Sequence, residues 1–195
     1  MSARTLSEKE LNLLLLFVKT RKYAERDRAM LLMTYWGGAR ICETVYTKIG
    51  DVLAADGTIR TEIRLTAEQT KGKYPRTITL SEKLRKEFQN YLQHRYCTKK
   101  LTLIPSRELQ KPLFNTQKRD GFTANTGAYH LNMLYRAAGI EGSSHSGRHY
   151  FLSSLSSKAV PLKVMMELAN HRQAQTTMRY ISVTTDMKKA AVELI

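Results

Sequence analysis

Acidic residues are scarce in this 195-residue chain: 17 Asp and Glu stand against 32 Lys and Arg, a formal net charge of +15. That imbalance is the electrostatic footprint of a polyanion binder. Cysteine is nearly absent. Cys42 and Cys97 lie far apart without ligand spacing, which excludes a disulfide framework, gives no zinc pattern and fits a reducing compartment. Long apolar runs are missing too. The stretch from Leu11 to Val18 is too short to span a bilayer, so of the polyanions that suit a basic protein, nucleic acid is favoured over a membrane surface. Met1-Ser2-Ala3-Arg4-Thr5-Leu6 shows no basic region followed by an apolar stretch and cleavage site, and an unprocessed, cytoplasmic protein is expected. Repeats and low-complexity tracts are absent. The length suits one domain with a sizeable core.

What is present is mostly helical patterning. Ser7 with Glu10 fits a capping box ahead of the apolar stripe Leu11, Leu14, Leu15 and Val18. Arg26 to Tyr35 reads as a second helix with Met30, Leu31 and Met33 inward. Gly37-Gly38 then breaks it, and Ala39 to Glu43 starts another with Arg40 near its beginning, where free backbone N–H groups favour an anion. Arg40 with Glu43 also fits a plain surface pair. From Thr58 to Leu65 and from Arg76 to Leu80 the pattern alternates as in strands, joined by a hairpin tip, Gln69-Thr70-Lys71-Gly72-Lys73-Tyr74-Pro75. Lys71 and Lys73 suit either a phosphate or a solvated turn. Ser81-Glu82 opens a helix to about Arg95, Leu113-Phe114 is a short buried segment, and Thr123 to Ala138 is a helix stopped by Gly139. Lys111, Lys118 and Arg119 are candidate DNA-backbone contacts beside it. Further helices are expected from Tyr150 to Ser157, from Pro161 to Leu168, over Thr176-Thr177 to Tyr180, and after Thr184-Thr185-Asp186, where Met187, Ala190, Ala191 and Leu194 form an apolar face. That face packs either on its own domain or on a neighbour. The fold class expected is mainly α (α+β).

Polar groups stand out against this patterning in the last fifty residues. His145 and Arg148 are three apart, His171 follows, and Tyr180 comes nine residues later. Guanidinium grips phosphoryl oxygens in pairs, imidazole donates or moves a proton, and a phenol can be a covalent nucleophile. No carboxylate cluster for a metal accompanies them.

With Arg40, a hairpin lysine, His145, Arg148, His171 and Tyr180 in this order, the chain resembles the tyrosine recombinase (phage integrase) family along nearly its whole length. Gly38-Ala39-Arg40-Ile41-Cys42-Glu43 is similar to the family's first arginine box, with Glu43 as the supporting acid. Gln69-Thr70-Lys71-Gly72 resembles the hairpin of the catalytic lysine, Lys73 being the reserve. His145-Ser146-Gly147-Arg148 resembles the His-x-x-Arg box, Glu167 to His171 the later histidine box, and Tyr180 is the nucleophile implied. The departures are Gly147, where leucine is common, and Asn170, where glycine is usual. The resemblance implies one catalytic domain over 1–195 with a small antiparallel hairpin. It implies no separate N-terminal DNA-clamping domain, as in the short fimbrial phase-switch invertases.

The resemblance also implies a site-specific recombinase or integrase that cleaves and rejoins double-stranded DNA through a 3′-phosphotyrosine, with no metal, cofactor or ATP. Arg40 and Arg148 would neutralise charge on the non-bridging oxygens, and His171 would donate to one of them. His145 would handle the Tyr180 proton or donate to phosphate, and Lys71 would protonate the leaving 5′-oxygen. A homo-oligomer on DNA, dimeric on a site and tetrameric at synapsis, is expected, with accessory DNA-bending proteins as further partners. Two rival readings are a type IB-like topoisomerase and a DNA-binding regulator that kept the fold without catalysis.

Overall fold

The computed structural model describes residues 5–70, 74–117, 119–181, 183 and 185–193. Its centre is a helix whose second half has no solvent face. In α2 (Ala24–Trp36), every residue from Ala29 to Tyr35 is buried, beyond the one-sided pattern expected, because neighbours cover it all round. One neighbour is α1 (Glu8–Lys19), which begins with the capping box expected: Glu10 N–H donates to the Ser7 hydroxyl at 3.2 Å, and Ser7 N–H to the Glu10 carboxylate at 2.8 Å. The others are α3 (Ile41–Tyr46), α5 (Glu82–Arg95) and α7 (Ser146–Ser157). Between α3 and α5 come the single turn α4 (Ile49–Val52) and the hairpin of β1 (Glu62–Leu65) and β2 (Arg76–Thr79). The strands are antiparallel, with Glu62 opposite Thr79 and Leu65 opposite Arg76. Both are shorter than the alternation predicts, since Ile59 instead makes an isolated bridge with Leu53.

The segment between α5 and α6 (Ala124–Ala137) holds two single 3-10 turns and the fully buried Leu113 and Phe114. A buried ionic knot ties α6 to α2. Asp27, 1% exposed, accepts from Arg26 Nε at 3.0 Å and Nη2 at 2.7 Å, and lies 2.8 Å from His130 Nε2 on α6. Burial works to raise the Asp27 pKa, but the hydrogen bonds and charges of His130 and Arg26 outweigh it and hold the carboxyl below its usual range. Asp27→Ala would strand Arg26, itself buried, without its anion. We expect a loss of about 3 kcal/mol, the lower end for a broken buried pair, measurable as a fall in the urea midpoint with m unchanged.

The chain ends in α8 (Leu162–Ala169), α9 (Ala174–Met178) and α10 (Thr185–Val192). Two of the differences from the sequence reading bear on the polar residues. Helix α7 starts at Ser146 rather than Tyr150, so Arg148 lies in its first turn, and Tyr180 stands in a turn beyond α9 rather than on a helix. On α10, Met187 is half-buried and Ala191 exposed, while the Ala190 side chain and Leu194 lie outside the described residues. A second, small core of Leu152, Met165 and Ala169 joins α7 to α8, and Phe151 and Tyr180 pack against it. Among the described residues no helix is long and apolar enough to cross a membrane.

Candidate active site

The site is built where three chain turns meet. After α2, Gly38 takes φ +59°, which favours glycine, and a Cβ there would lie 2.4 Å from the Phe151 ring. The Gly38 carbonyl accepts from Arg148 Nη1. Arg40 follows as the residue preceding α3. Its N–H donates to Glu43 Oε2 at 2.8 Å and its Nη1 to Glu43 Oε1 at 2.9 Å. The N–H of Arg40 itself is thus taken by Glu43. The carboxylate is itself buried, so Arg40 and Glu43 are no surface pair, although the Arg40 side chain keeps 28% of its area exposed.

Arg148 crosses from α7 to the end of α8. Carbonyls in a helix's last turn lack intrahelical partners, and a cation there also meets the negative end of the helix dipole. Arg148 Nη2 donates to the Ala169 carbonyl and lies 2.9 Å from His171 Nε2. Between these partners Asn170 adopts the left-handed conformation, φ 50° and ψ 50°, which turns the chain so that His171 faces back. Because a guanidinium only donates, His171 Nε2 must accept, so its Nδ1 carries the proton and donates to Thr177 Oγ1 at 2.9 Å. Burial first, then the charges of Arg148, Arg40 and Arg76, push His171 down to about 4, which keeps it neutral at pH 7. Both ring nitrogens are therefore engaged. Donation from His171 to a phosphate, as the sequence reading has it, requires one of these two contacts to be given up.

Tyr180, half-buried, stands beside this centre. Its ring centroid is 6.1 Å from that of His171 and 4.6 Å from that of His149. Burial, then His145 and Arg148, push the His149 pKa down. His145 itself is exposed at the start of α7, one turn before His149. Burial, with Arg76 and Arg40 as like-charged neighbours, pushes Arg148 down to about 9 despite Glu43 and Tyr180, and it remains a cation at pH 7. Three guanidiniums, those of Arg40, Arg76 and Arg148, thus share the Glu43 carboxylate as counter-charge, and the centre is cationic.

Of the remaining sequence candidates, Lys71, Lys73 and Lys118 lie outside the described residues. Lys111 and Arg119 sit between α5 and α6. The Lys111 ammonium is 2.7 Å from Glu108 Oε1 and Arg119 is exposed, and among the described residues neither contacts the arginine centre.

Compared with known proteins, residues 4–187 match the model of the Phage integrase family. The chain belongs to that family. Among its relatives, tyrosine recombinase XerA of Pyrococcus furiosus is 29% identical over 190 residues, covering 97% of this chain and 61% of that protein. Transposase A from transposon Tn554 of Staphylococcus aureus is 25% identical over 195 residues, covering 95% and 50%. The chain therefore spans between half and two thirds of these relatives' length. Among solved structures, XerA recombinase superposes with a TM-score of 0.71 at 20% identity, covering 98% of this chain and 62% of that one. The Tn1549 transposon integrase in complex with a circular intermediate DNA superposes with 0.73 at 18% identity, covering 100% and 67%. These likenesses bear on the fold, which is the mainly α one with a small antiparallel hairpin.

Both departures from the integrase pattern have physical reasons. A Cβ at position 147 would lie 2.0 Å from Thr34 Oγ1 and 2.9 Å from Tyr35, so Gly147 is what lets α7 approach α2. Asn170 occupies the left-handed position where glycine is usual, and asparagine is the residue that best replaces it there. Three residues of the centre escaped the sequence reading. Arg76 shares strand parity with the inward Ile78 and Leu80, which was the available signal for a buried arginine. His149 is one helical turn from His145. Thr177 carries no signal, because only the turn after α8 brings it to His171.

Proposed function

We propose that this protein is a site-specific DNA recombinase of the integrase type, cleaving and rejoining double-stranded DNA through Tyr180. The observation that carries the proposal is the convergence of Arg40, Arg148 and His171, from three distant segments, beside the Tyr180 ring. Net positive charge held in a buried frame is what a phosphodiester needs, since charge grows on its non-bridging oxygens during displacement. The Tyr180 oxygen attacks phosphorus, the P–O5′ bond breaks, and a 3′-phosphotyrosine forms. The phenolic proton passes to an acceptor, His145 or His149, the latter with its ring centroid 4.6 Å from that of Tyr180, and the departing 5′-oxygen takes a proton from Lys71. Attack by a 5′-hydroxyl on the phosphotyrosine reverses the step with the bond energy conserved, so neither ATP nor metal is called for. Each tyrosine cuts one strand, and exchange between two duplexes involves four. A dimer on each site and a tetramer at synapsis follow from that count, with accessory DNA-bending proteins as further partners.

The test is to sequence the DNA flanking the gene for inverted repeats and to build from them a duplex nicked so that the cleaved strand diffuses away. A covalent adduct that survives detergent and is lost on protease digestion is expected. Binding without any adduct would overturn the reading in favour of a non-catalytic regulator. Binding should also depend steeply on salt, because phosphate contacts release counterions. About six such contacts would lower affinity by roughly 10³-fold between ~50 and ~200 mM salt, and a flat dependence would sink the DNA reading altogether.

A further inference from the structure

Arg76, the first residue of β2, is buried among groups that the reaction would use yet is itself closed off from DNA, its side chain 1% exposed. Its Nη1 donates to Glu43 Oε2, and its Nη2 donates to the Leu168 carbonyl at 2.7 Å, with the Gly38 carbonyl at 3.5 Å. We propose that Arg76 is a positioning residue for strand cleavage, fixing Arg40 through Glu43 and the His171 turn through Leu168. This rests on the cleavage reading above.

The geometry supports two separate holds. Glu43 divides its oxygens: Oε1 takes Arg40 Nη1, while Oε2 takes both the Arg40 N–H and Arg76. With Arg76 gone, the carboxylate faces Arg40 alone and can take its guanidinium with both oxygens, the pairing that carboxylates and guanidiniums prefer. Arg40 is then drawn back from a phosphate. The second hold is at the end of α8. Leu168 and Ala169 are adjacent, and their carbonyls go to Arg76 and Arg148 respectively. One guanidinium thus sets the carbonyl next to the one that the other guanidinium grips, just before the left-handed Asn170 and His171. Stability alone does not explain the choice. Among the described residues Arg76 Nε is buried with no partner, and burial works against the charge. An apolar side chain would fill such a place at less cost, but it could not bridge α3 and α8.

The test compares single-turnover cleavage of ordinary duplex with cleavage of the same duplex carrying a neutral methylphosphonate at the scissile position. A group acting through the non-bridging charge loses its importance when that charge is removed, whereas a loss of folded protein slows both substrates equally. Arg76→Met should slow cleavage of ordinary DNA on the order of 10²-fold, the scale of a misplaced catalytic group, with DNA affinity nearly unchanged. On methylphosphonate the defect should shrink to a few-fold, in parallel with Arg40→Ala. In an Arg40→Ala background, Arg76→Met should cost less than it does alone, the remainder being the hold on the Leu168 carbonyl. Equal slowing on both substrates, or full additivity with Arg40→Ala, would overturn the proposal. Should Arg76→Met fail to fold by circular dichroism, Arg76→Lys keeps the charge but cannot bridge Glu43 and Leu168, and the same comparison applies. Failure of both variants to fold would make Arg76 a folding residue and refute the role. Wild-type protein that forms no adduct would refute the cleavage reading instead, a distinguishable result.

Discussion

Tyr180→Phe is expected to remove covalent DNA cleavage while leaving folding and DNA binding intact. Only the phenolic oxygen is lost. The ring is what packs against the core of Leu152, Met165 and Ala169 and lies beside His149 and His171, and phenylalanine keeps it. Among the described residues the hydroxyl has no hydrogen-bond partner to strand. The chemical loss, by contrast, is total for a covalent mechanism, since no other group occupies the position of the attacking oxygen. Removal of a serine nucleophile elsewhere costs on the order of 10⁶-fold, and a comparable loss here places turnover below detection. The measurement is adduct formation on the nicked duplex beside a binding isotherm for the same variant. An adduct formed by Tyr180→Phe would show that Tyr180 is not the nucleophile.

Lys71→Ala is expected to slow cleavage of ordinary DNA by roughly 10²- to 10⁴-fold, the range of general acid catalysis, and to recover on a strand whose bridging 5′-oxygen is sulfur. An alkoxide is too basic to depart unaided, so the group that protonates it matters. A thiolate, whose conjugate acid has a pKa of about 8.5 in the cysteine side chain, departs without a proton. Arg148→Ala should stay slow on both strands, because its guanidinium would answer charge on the non-bridging oxygens, which develops whichever atom leaves. Recovery seen for Lys73→Ala and not Lys71→Ala would move the acid two residues along the hairpin. If neither lysine variant recovers, the proton comes from elsewhere.

Much of the secondary structure was legible because it is set locally. The Ser7–Glu10 capping box, the stripe of α1, the span of α5 and the glycine stop after α6 depend on neighbours within a turn, and they stand where residue patterning puts them. The boundaries that moved did so for tertiary reasons. Helix α7 reaches back to Ser146 because Gly147 fits against Thr34 and Tyr35 of α2, a closeness that no local pattern expresses.

The site divides along the same line. Residue order and type, from Arg40 through His145, Arg148 and His171 to Tyr180, are properties of the sequence by itself, as are the excess of positive charge and the family. Tertiary structure alone decided that Arg148 spends donors on Gly38, Ala169 and His171, that His171 is neutral with its proton on Nδ1 toward Thr177, and that His149 packs beside the Tyr180 ring. It also brought Arg76 to Glu43 from 33 residues away. The reason is physical: a buried charge takes its position and protonation from the partners that surround it in space, and those partners come from chain segments that sequence spacing does not relate.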